Sequence, residues 1–291
     1  MNGILIVNKP AGFTSHDVVA KLRGIYKTRR IGHSGTLDPM ATGVLPILIG
    51  RATRACEFAT GHDKIYRAEL LLGMETDTQD ITGRVLRACE PDVSDAALLA
   101  AVASQVGDIA QIPPMYSAVK IGGKKLYQLA RQGVEVERRP RPVTIYSIAV
   151  ERLSARCAVL TVRASKGTYI RTLCADIGAK LGCGAVLTAL ERLCSGQFTL
   201  DMAHDFSEIT RDPEGLLLPV DSLFLEYPAL TVDAAGAKRA RCGAEIPTDA
   251  PVGQTLRVYE EDGAFLMLAT VVARPQGHCL RTVKSFFEVK S

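Results

Sequence analysis

Gly32-His-Ser-Gly-Thr-Leu-Asp-Pro-Met-Ala-Thr-Gly43 is the stretch from which the rest of this 291-residue chain is read. Three glycines and a proline surround a single acid, so backbone geometry holds Asp38 in a tight loop. Asp-Pro also starts ordinary turns, and the loop alone does not decide between a turn and a built site. Val44 to Ile49, which follows, is strand-like.

Working outward, Gly3 to Asn8 reads as a short strand ending in a turn at Pro10-Ala-Gly12. Ser15 is placed as the N-cap of a helix carrying Val18, Val19, Leu22, Ile25 and Tyr26 at helical spacing. Lys27 to Arg30 put three positive charges at its end, suited to the macrodipole or to a phosphate. A short helix is predicted over Thr53 to Thr60, closed by Gly61, and strands over Lys64–Leu72 and Arg156–Ala164. Ser94 caps a helix through Val106, and Leu173, Ile177 and Leu181 share one face of another that stops at Gly182.

Strands outnumber helices, and both hairpin-like turns and helices separate them. The pattern implies an α+β architecture with a mixed or antiparallel sheet. A boundary is predicted near Leu225-Glu-Tyr-Pro228, giving domains 1–228 and 229–291. After it come strands at Gly243–Pro247, Thr255–Tyr259, Phe265–Val272 and Cys279–Val283, enough for one small β barrel.

Hydrophobic residues make up 47% and charged residues 23%, an ordinary globular mix that excludes disordered and fibrous classes. No apolar stretch approaches the roughly 20 residues needed to cross a bilayer. Ile4-Leu-Ile-Val7 is too brief for a signal-peptide core. No Cys-x-x-Cys pair occurs among the eight cysteines, so reduced thiols in a cytoplasmic protein, with no membrane contact, are expected.

Several familiar sites are excluded. Gly182-Cys-Gly184 starts like a dinucleotide loop but has Leu187 where its third glycine belongs, and Gly123-Lys124 is followed by Lys125, not Ser or Thr. Gly32-His-Ser-Gly35 lacks the spacing of a nucleophile elbow, and the five histidines are dispersed. No cofactor and no metal are expected.

Charge is concentrated. Ile112 to Ile145 holds seven basic residues against two acidic ones, a net +5 in a chain of net +4, so the remainder carries −1. Such a segment is either a solvated lysine-rich loop or a polyanion contact, and Tyr116 and Tyr127 within it favour stacking on bases.

The loop around Asp38 does not stand alone. With Asn8-Lys-Pro10, Gly12-Phe-Thr-Ser15, Lys64-Ile-Tyr66 and Ser165-Lys-Gly-Thr-Tyr-Ile-Arg171, in order over residues 1 to 225, the chain resembles the bacterial tRNA pseudouridine synthase B family. Ser34 stands where threonine is common and Met40 where leucine is common.

The resemblance implies a catalytic domain with an inserted thumb at about 112–145 and a C-terminal RNA-binding domain of the PUA type. The implied reaction turns the T-loop uridine (uridine-55) of tRNA into pseudouridine. The bond from C1′ to N1 breaks, the uracil rotates, and C5 joins C1′, with neither redox change nor cofactor. A carboxylate suits this chemistry as nucleophile or as stabiliser of charge at the anomeric carbon. Attack at C1′, addition at C6 and a glycal-type route all remain open.

The resemblance places that carboxylate at Asp38, its arginine partner at Arg171, and a tyrosine that stacks on the base and serves C5 deprotonation at Tyr66. Alone, Arg171 reads equally as a helix-start arginine on a surface acid, and Tyr66 as a core strand tyrosine. Tyr169 and Leu190 match pocket-lining positions, and His33 a residue that fills the space of the flipped base. Lys9, beside Pro10, reads as structural. Lys124, Lys125 and Arg131 fall in the thumb that grips the T-arm. A monomer acting on tRNA without a guide RNA is implied, with a tRNA-folding chaperone role as a further activity.

Overall fold

The computed structural model describes residues 1–287. From the N-terminus run β1 (Gly3–Lys9), α1 (Ser15–Tyr26), β2 (Ile31–His33), β3 (Thr42–Ile49), α2 (Cys56–Thr60), β4 (Lys64–Leu72), β5 (Met74–Thr76) and β6 (Val85–Ala88). Next are α3 (Asp95–Ala103), β7 (Gly107–Gln111), β8 (Lys120–Ile121), β9 (Lys124–Lys125), α4 (Leu126–Ala130), β10 (Arg141–Arg152) and β11 (Cys157–Ala164). Then follow α5 (Ile170–Lys180), β12 (Ala185–Ser195), β13 (Phe198–Thr199), α6 (Phe206–Arg211), β14 (Ala229–Val232) and α7 (Ala234–Arg241). The last strands are β15 (Ile246–Pro247), β16 (Thr255–Glu260), β17 (Phe265–Arg274) and β18 (Gly277–Ser285).

The main sheet has nine strands in the order β1-β3-β12-β4-β11-β10-β7, with β2 paired to β3 and β13 to β12. Every pairing is antiparallel except β12 with β3, which run parallel through Glu191↔Thr42 and Arg192↔Gly43. The fold is therefore α+β with a mixed sheet, as the sequence implies. Side chains alternate across strands, and β1 and β3 serve a separate core on each face. Leu5, Val7, Leu45, Ile47 and Ile49 join the core beneath α1 and α5. Ile4, Ile6, Val44 and Leu48 join a second core with Phe198 and Phe224. Burial on both faces explains why β3 reads as one apolar run.

The small C-terminal β unit is a five-stranded sheet, β14-β16-β17-β18-β15, covered by α7. The sequence reading missed β14 and α7. Four alanines in a short, strongly charged run leave α7 too little apolar periodicity to register, although Asp233 caps it onto Gly236 N. Leu268 and Phe286 insert into the second core, where Phe224 meets the rings of Phe58, Phe265 and Phe286. The last four residues of the expected domain 229–291 lie outside the described residues.

Other boundaries differ at the ends. The N-cap of α1 is Thr14, not Ser15; Thr14 Oγ1 accepts from Asp17 N at 3.0 Å and the Asp17 carboxylate accepts from Thr14 N. The helix capped by Ser94 stops at Ala103, three residues early. Arg141 to Ile145, at the end of the segment read as about 112–145, belong to β10 and pair with β7. All eight cysteines are free, and among the described residues no helix is long and apolar enough to cross a membrane.

Candidate active site

Asp38 lies between β2 and β3 in a loop pinned from three sides. Ser15, displaced from its expected capping role, is buried; its Oγ accepts from Leu37 N at 2.9 Å and donates to Leu37 O at 3.3 Å. Gly12 N donates to Pro39 O at 2.8 Å. Lys9, with no exposed surface, donates through Nζ to Phe13 O, Pro10 O and Pro39 O at 2.6, 2.9 and 3.3 Å. Burial lowers the Lys9 ammonium to about 8, against the opposing pull of Asp38. Lys9 thus buttresses the loop from beneath.

Arg171 enters from the first turn of α5. Its Nε stands 2.9 Å from Asp38 Oδ2 and its Nη2 3.2 Å from Asp38 Oδ1, a two-point fork on the carboxylate. The remaining donors are also used: Nη2 to Tyr116 O at 2.8 Å, Nη1 to Thr78 O at 3.1 Å and to Asp80 Oδ2 at 3.4 Å. Four guanidinium N–H groups are thus hydrogen-bonded, and Nε stands in ion-pair contact with Asp38. The acids it bridges differ, since the Asp38 side chain keeps 31% of its surface exposed and Asp80 only 7%.

Asp80 was missed by the sequence reading. Its Oδ1 accepts from Thr78 Oγ1, Thr82 N and Thr82 Oγ1 at 2.8, 3.0 and 2.6 Å, locking the turn between β5 and β6. The available signal was Asp77-Thr-Gln-Asp-Ile-Thr-Gly83, dense in residues that bond their own backbone.

Arg171 and Lys9 favour the ionised carboxylate, but burial outweighs both and the Asp80 charge adds to it, so the Asp38 carboxyl sits above the ordinary aspartate value.

Tyr66 is a buried residue of β4, cross-strand from Arg192 and Val162. Leu190, on β12 opposite Ala68, is part of the main core. Tyr169 immediately precedes α5 and is half-buried; Gln111 brackets its backbone, accepting from Tyr169 N at 2.9 Å and donating to Tyr169 O at 3.3 Å. His33 ends β2, where burial first, then Arg192 and His16, lower its imidazole below the ordinary value, and its Nδ1 has no hydrogen-bond partner.

Lys124, Lys125 and Arg131 are not brought to Asp38. They stand on the insertion between β7 and β10, where Lys125 and Arg131 both lie 5.5 Å from the centre of the Tyr127 ring. The insertion meets the site through its backbone, by the Tyr116 carbonyl on Arg171. Arg192, also missed, is a fully buried side chain on β12. Its signal is weak, because one arginine in a strand reads as an outward-facing residue. Among the described residues no cluster of three or more His, Cys, Asp or Glu could hold a metal ion.

The site thus offers a half-open carboxylate held by an arginine that joins elements distant in sequence. The chain is similar to known proteins. The family model "TruB family pseudouridylate synthase (N terminal domain)" matches residues 23–170, and "tRNA pseudouridylate synthase B C-terminal domain" matches 171–224. The border between these models falls inside α5, between Ile170 and Arg171. A "tRNA pseudouridine synthase B" of Alkaliphilus oremlandii is 47% identical over 270 residues, covering 90% of each chain. One from Syntrophotalea carbinolica is 46% identical over 273 residues, covering 92% of this chain and 89% of that protein. Among solved structures, a Cbf5-Nop10-Gar1 complex matches with TM-score 0.73 and 25% identity, over 98% of this chain and 85% of that one. A model spanning half the sequence, and relatives alike over nine-tenths of it, make the chain a member of the TruB family of pseudouridylate synthases.

Proposed function

We propose that this isomerase acts on tRNA, converting the T-loop uridine-55 to pseudouridine. The Asp38–Arg171 fork carries the reading: a carboxylate aimed by two contacts, in a loop that cannot swing, suits a reaction at one sugar carbon. The names of the relatives above support tRNA as substrate. The uridine leaves its stack and enters the site, at a cost of a few kcal/mol. The C1′–N1 bond breaks, the uracil turns in place, and C5 bonds to C1′. C5 loses its proton while N1 gains one, so atoms and electrons balance without a cofactor.

In this reading Asp38 serves the anomeric carbon or the base, and Arg171 keeps it oriented. Tyr66 stacks on the uracil and serves removal of the C5 proton. His33 fills the vacated stack, and Tyr169 and Leu190 line the pocket. Residues 1–228 form the catalytic unit and 229–291 an RNA-binding unit. The insertion grips the T-arm through Lys124, Lys125 and Arg131, mainly by shape and phosphate contact. The enzyme works in the cytoplasm as a monomer without guide RNA, and also helps tRNA to fold.

The test uses tRNA transcript carrying tritium at uracil C5, with the native protein and Asp38→Asn. Tritium release with pseudouridine in the product, lost in Asp38→Asn, supports the reading. Free uracil would instead mark a nucleosidase. Folding assistance without tritium release would mark a chaperone alone.

A further inference from the structure

Arg192 is 1% exposed, and among the described residues no carboxylate stands within ion-pair distance of it. Its electrostatic neighbours Lys9, Lys64 and His33 are themselves basic groups. Burying an unpaired cation is costly, and an apolar side chain would fill the same volume more favourably. The position therefore calls for an explanation from what the guanidinium holds.

It holds two carbonyls and faces a third group. Nε donates to Val44 O at 2.7 Å and Nη2 to Gly35 O at 3.3 Å, the two ends of the loop carrying Asp38. The third group is Tyr66, the cross-strand partner of Arg192 on β4, while Gly43 is its register partner on β3. A Cβ at Gly43 would stand 2.3 Å from Arg192 O, so loop and strand touch directly.

We propose that Arg192 is a positioning residue that sets the Asp38 loop and the Tyr66 side chain in one frame. The inference rests on the proposed reaction. Lysine at 192 keeps the charge but cannot reach both loop carbonyls with a planar fork. Glutamine can keep a donor to Val44 but loses the charge and the bond to Gly35.

The experiment measures single-turnover tritium release, tRNA binding and thermal unfolding for the native protein, Arg192→Lys, Arg192→Gln, Tyr66→Phe and the double variant Arg192→Lys/Tyr66→Phe. Arg192→Lys and Arg192→Gln are expected to bind tRNA within about twofold of native and to react about 10²-fold more slowly, the scale of an ångström-sized misplacement. The double variant should lose less than the product of the two single losses, because Arg192 acts partly through the placement of Tyr66. Native rates in Arg192→Lys, or losses that multiply in the double variant, would overturn the inference and leave the proposed function standing. A native protein that releases no tritium would overturn both. If Arg192→Lys does not fold, Arg192→Gln carries the same comparison, and collapse of both variants would mark Arg192 as structural only and sink the proposal.

Discussion

Asp38 and Arg171, 133 residues apart in the chain, meet through two contacts of 2.9 and 3.2 Å, and the other three donors of Arg171 are taken by Tyr116, Thr78 and Asp80. One side chain thereby ties the Asp38 loop, the β5–β6 turn and the segment after β7 to α5. Loss of Arg171 removes more than an orienting group.

Replacing Arg171 by methionine leaves the buried Asp80 carboxylate without its cation. Breaking a buried pair from one side costs about 3–5 kcal/mol, and urea unfolding should register a loss of that size. Arg171→Lys retains the charge but loses the fork, so it is expected to lose less stability than Arg171→Met while still reacting slowly. Equal stability of Arg171→Met and native protein would contradict the set of contacts around Arg171.

The acid limb of the rate should report Asp38. Its carboxyl lies above the ordinary aspartate value, so the ionised form is lost at a higher pH than for a free aspartate as the solution is acidified. Asp80 is one of the groups pushing it up, and Asp80→Asn is expected to move the limb to lower pH. Single-turnover rates between pH 4 and 8 for both proteins measure the displacement and its sign.

Gly43 has φ +95° and no room for a side chain against the Arg192 backbone. Gly43→Ala combines backbone strain of about 1–3 kcal/mol with a direct overlap, so destabilisation at or above that range is expected in a denaturant melt. Gly12→Ala, also at positive φ but with open space around it, should cost less.

The insertion is tested by salt. Among the described residues Lys124, Lys125 and Arg131 carry no ion pair. Replacing all three by glutamine is expected to weaken tRNA binding and to lower the slope of log affinity against log salt by about 2. An unchanged slope would remove these cations from the interface.

Lys9 and Lys64 are each held at about 8 by burial, against an ordinary 10.5. Below pH 8 both folded and unfolded chains carry these protons, and the fold bears the full cost of the buried charges. Between about 8 and 10.5 the folded chain releases them first, so stability rises with pH across that window. Across that window the melting temperature of Lys64→Met should rise less steeply with pH than that of the native protein.

Local rules read the parts of the chain whose determinants are local. The alternation in Lys64–Leu72, the glycine-rich bend around Asp38 and the stop at Gly182 follow from side-chain period and turn chemistry, and the observed elements match them closely. The α1 cap shifted by one residue because Thr14 and Asp17 form a reciprocal cap, freeing Ser15 to pin Leu37. Helix α7 was missed because its apolar face consists of alanine and glycine, too small to stand out by periodicity.

The chain's own residues, through motif and resemblance, determined the α+β class and the family, and singled out Asp38, Tyr66, Arg171 and the basic segment as the features to propose a function from. Only tertiary structure decided that Asp80 shares Arg171 with Asp38, that Arg192 is buried without an acid, and that burial overrides the fork in raising the Asp38 carboxyl. These depend on the distance, desolvation and donor count of groups separated by dozens of residues, and no local pattern along the chain records where a folded sheet brings such groups together.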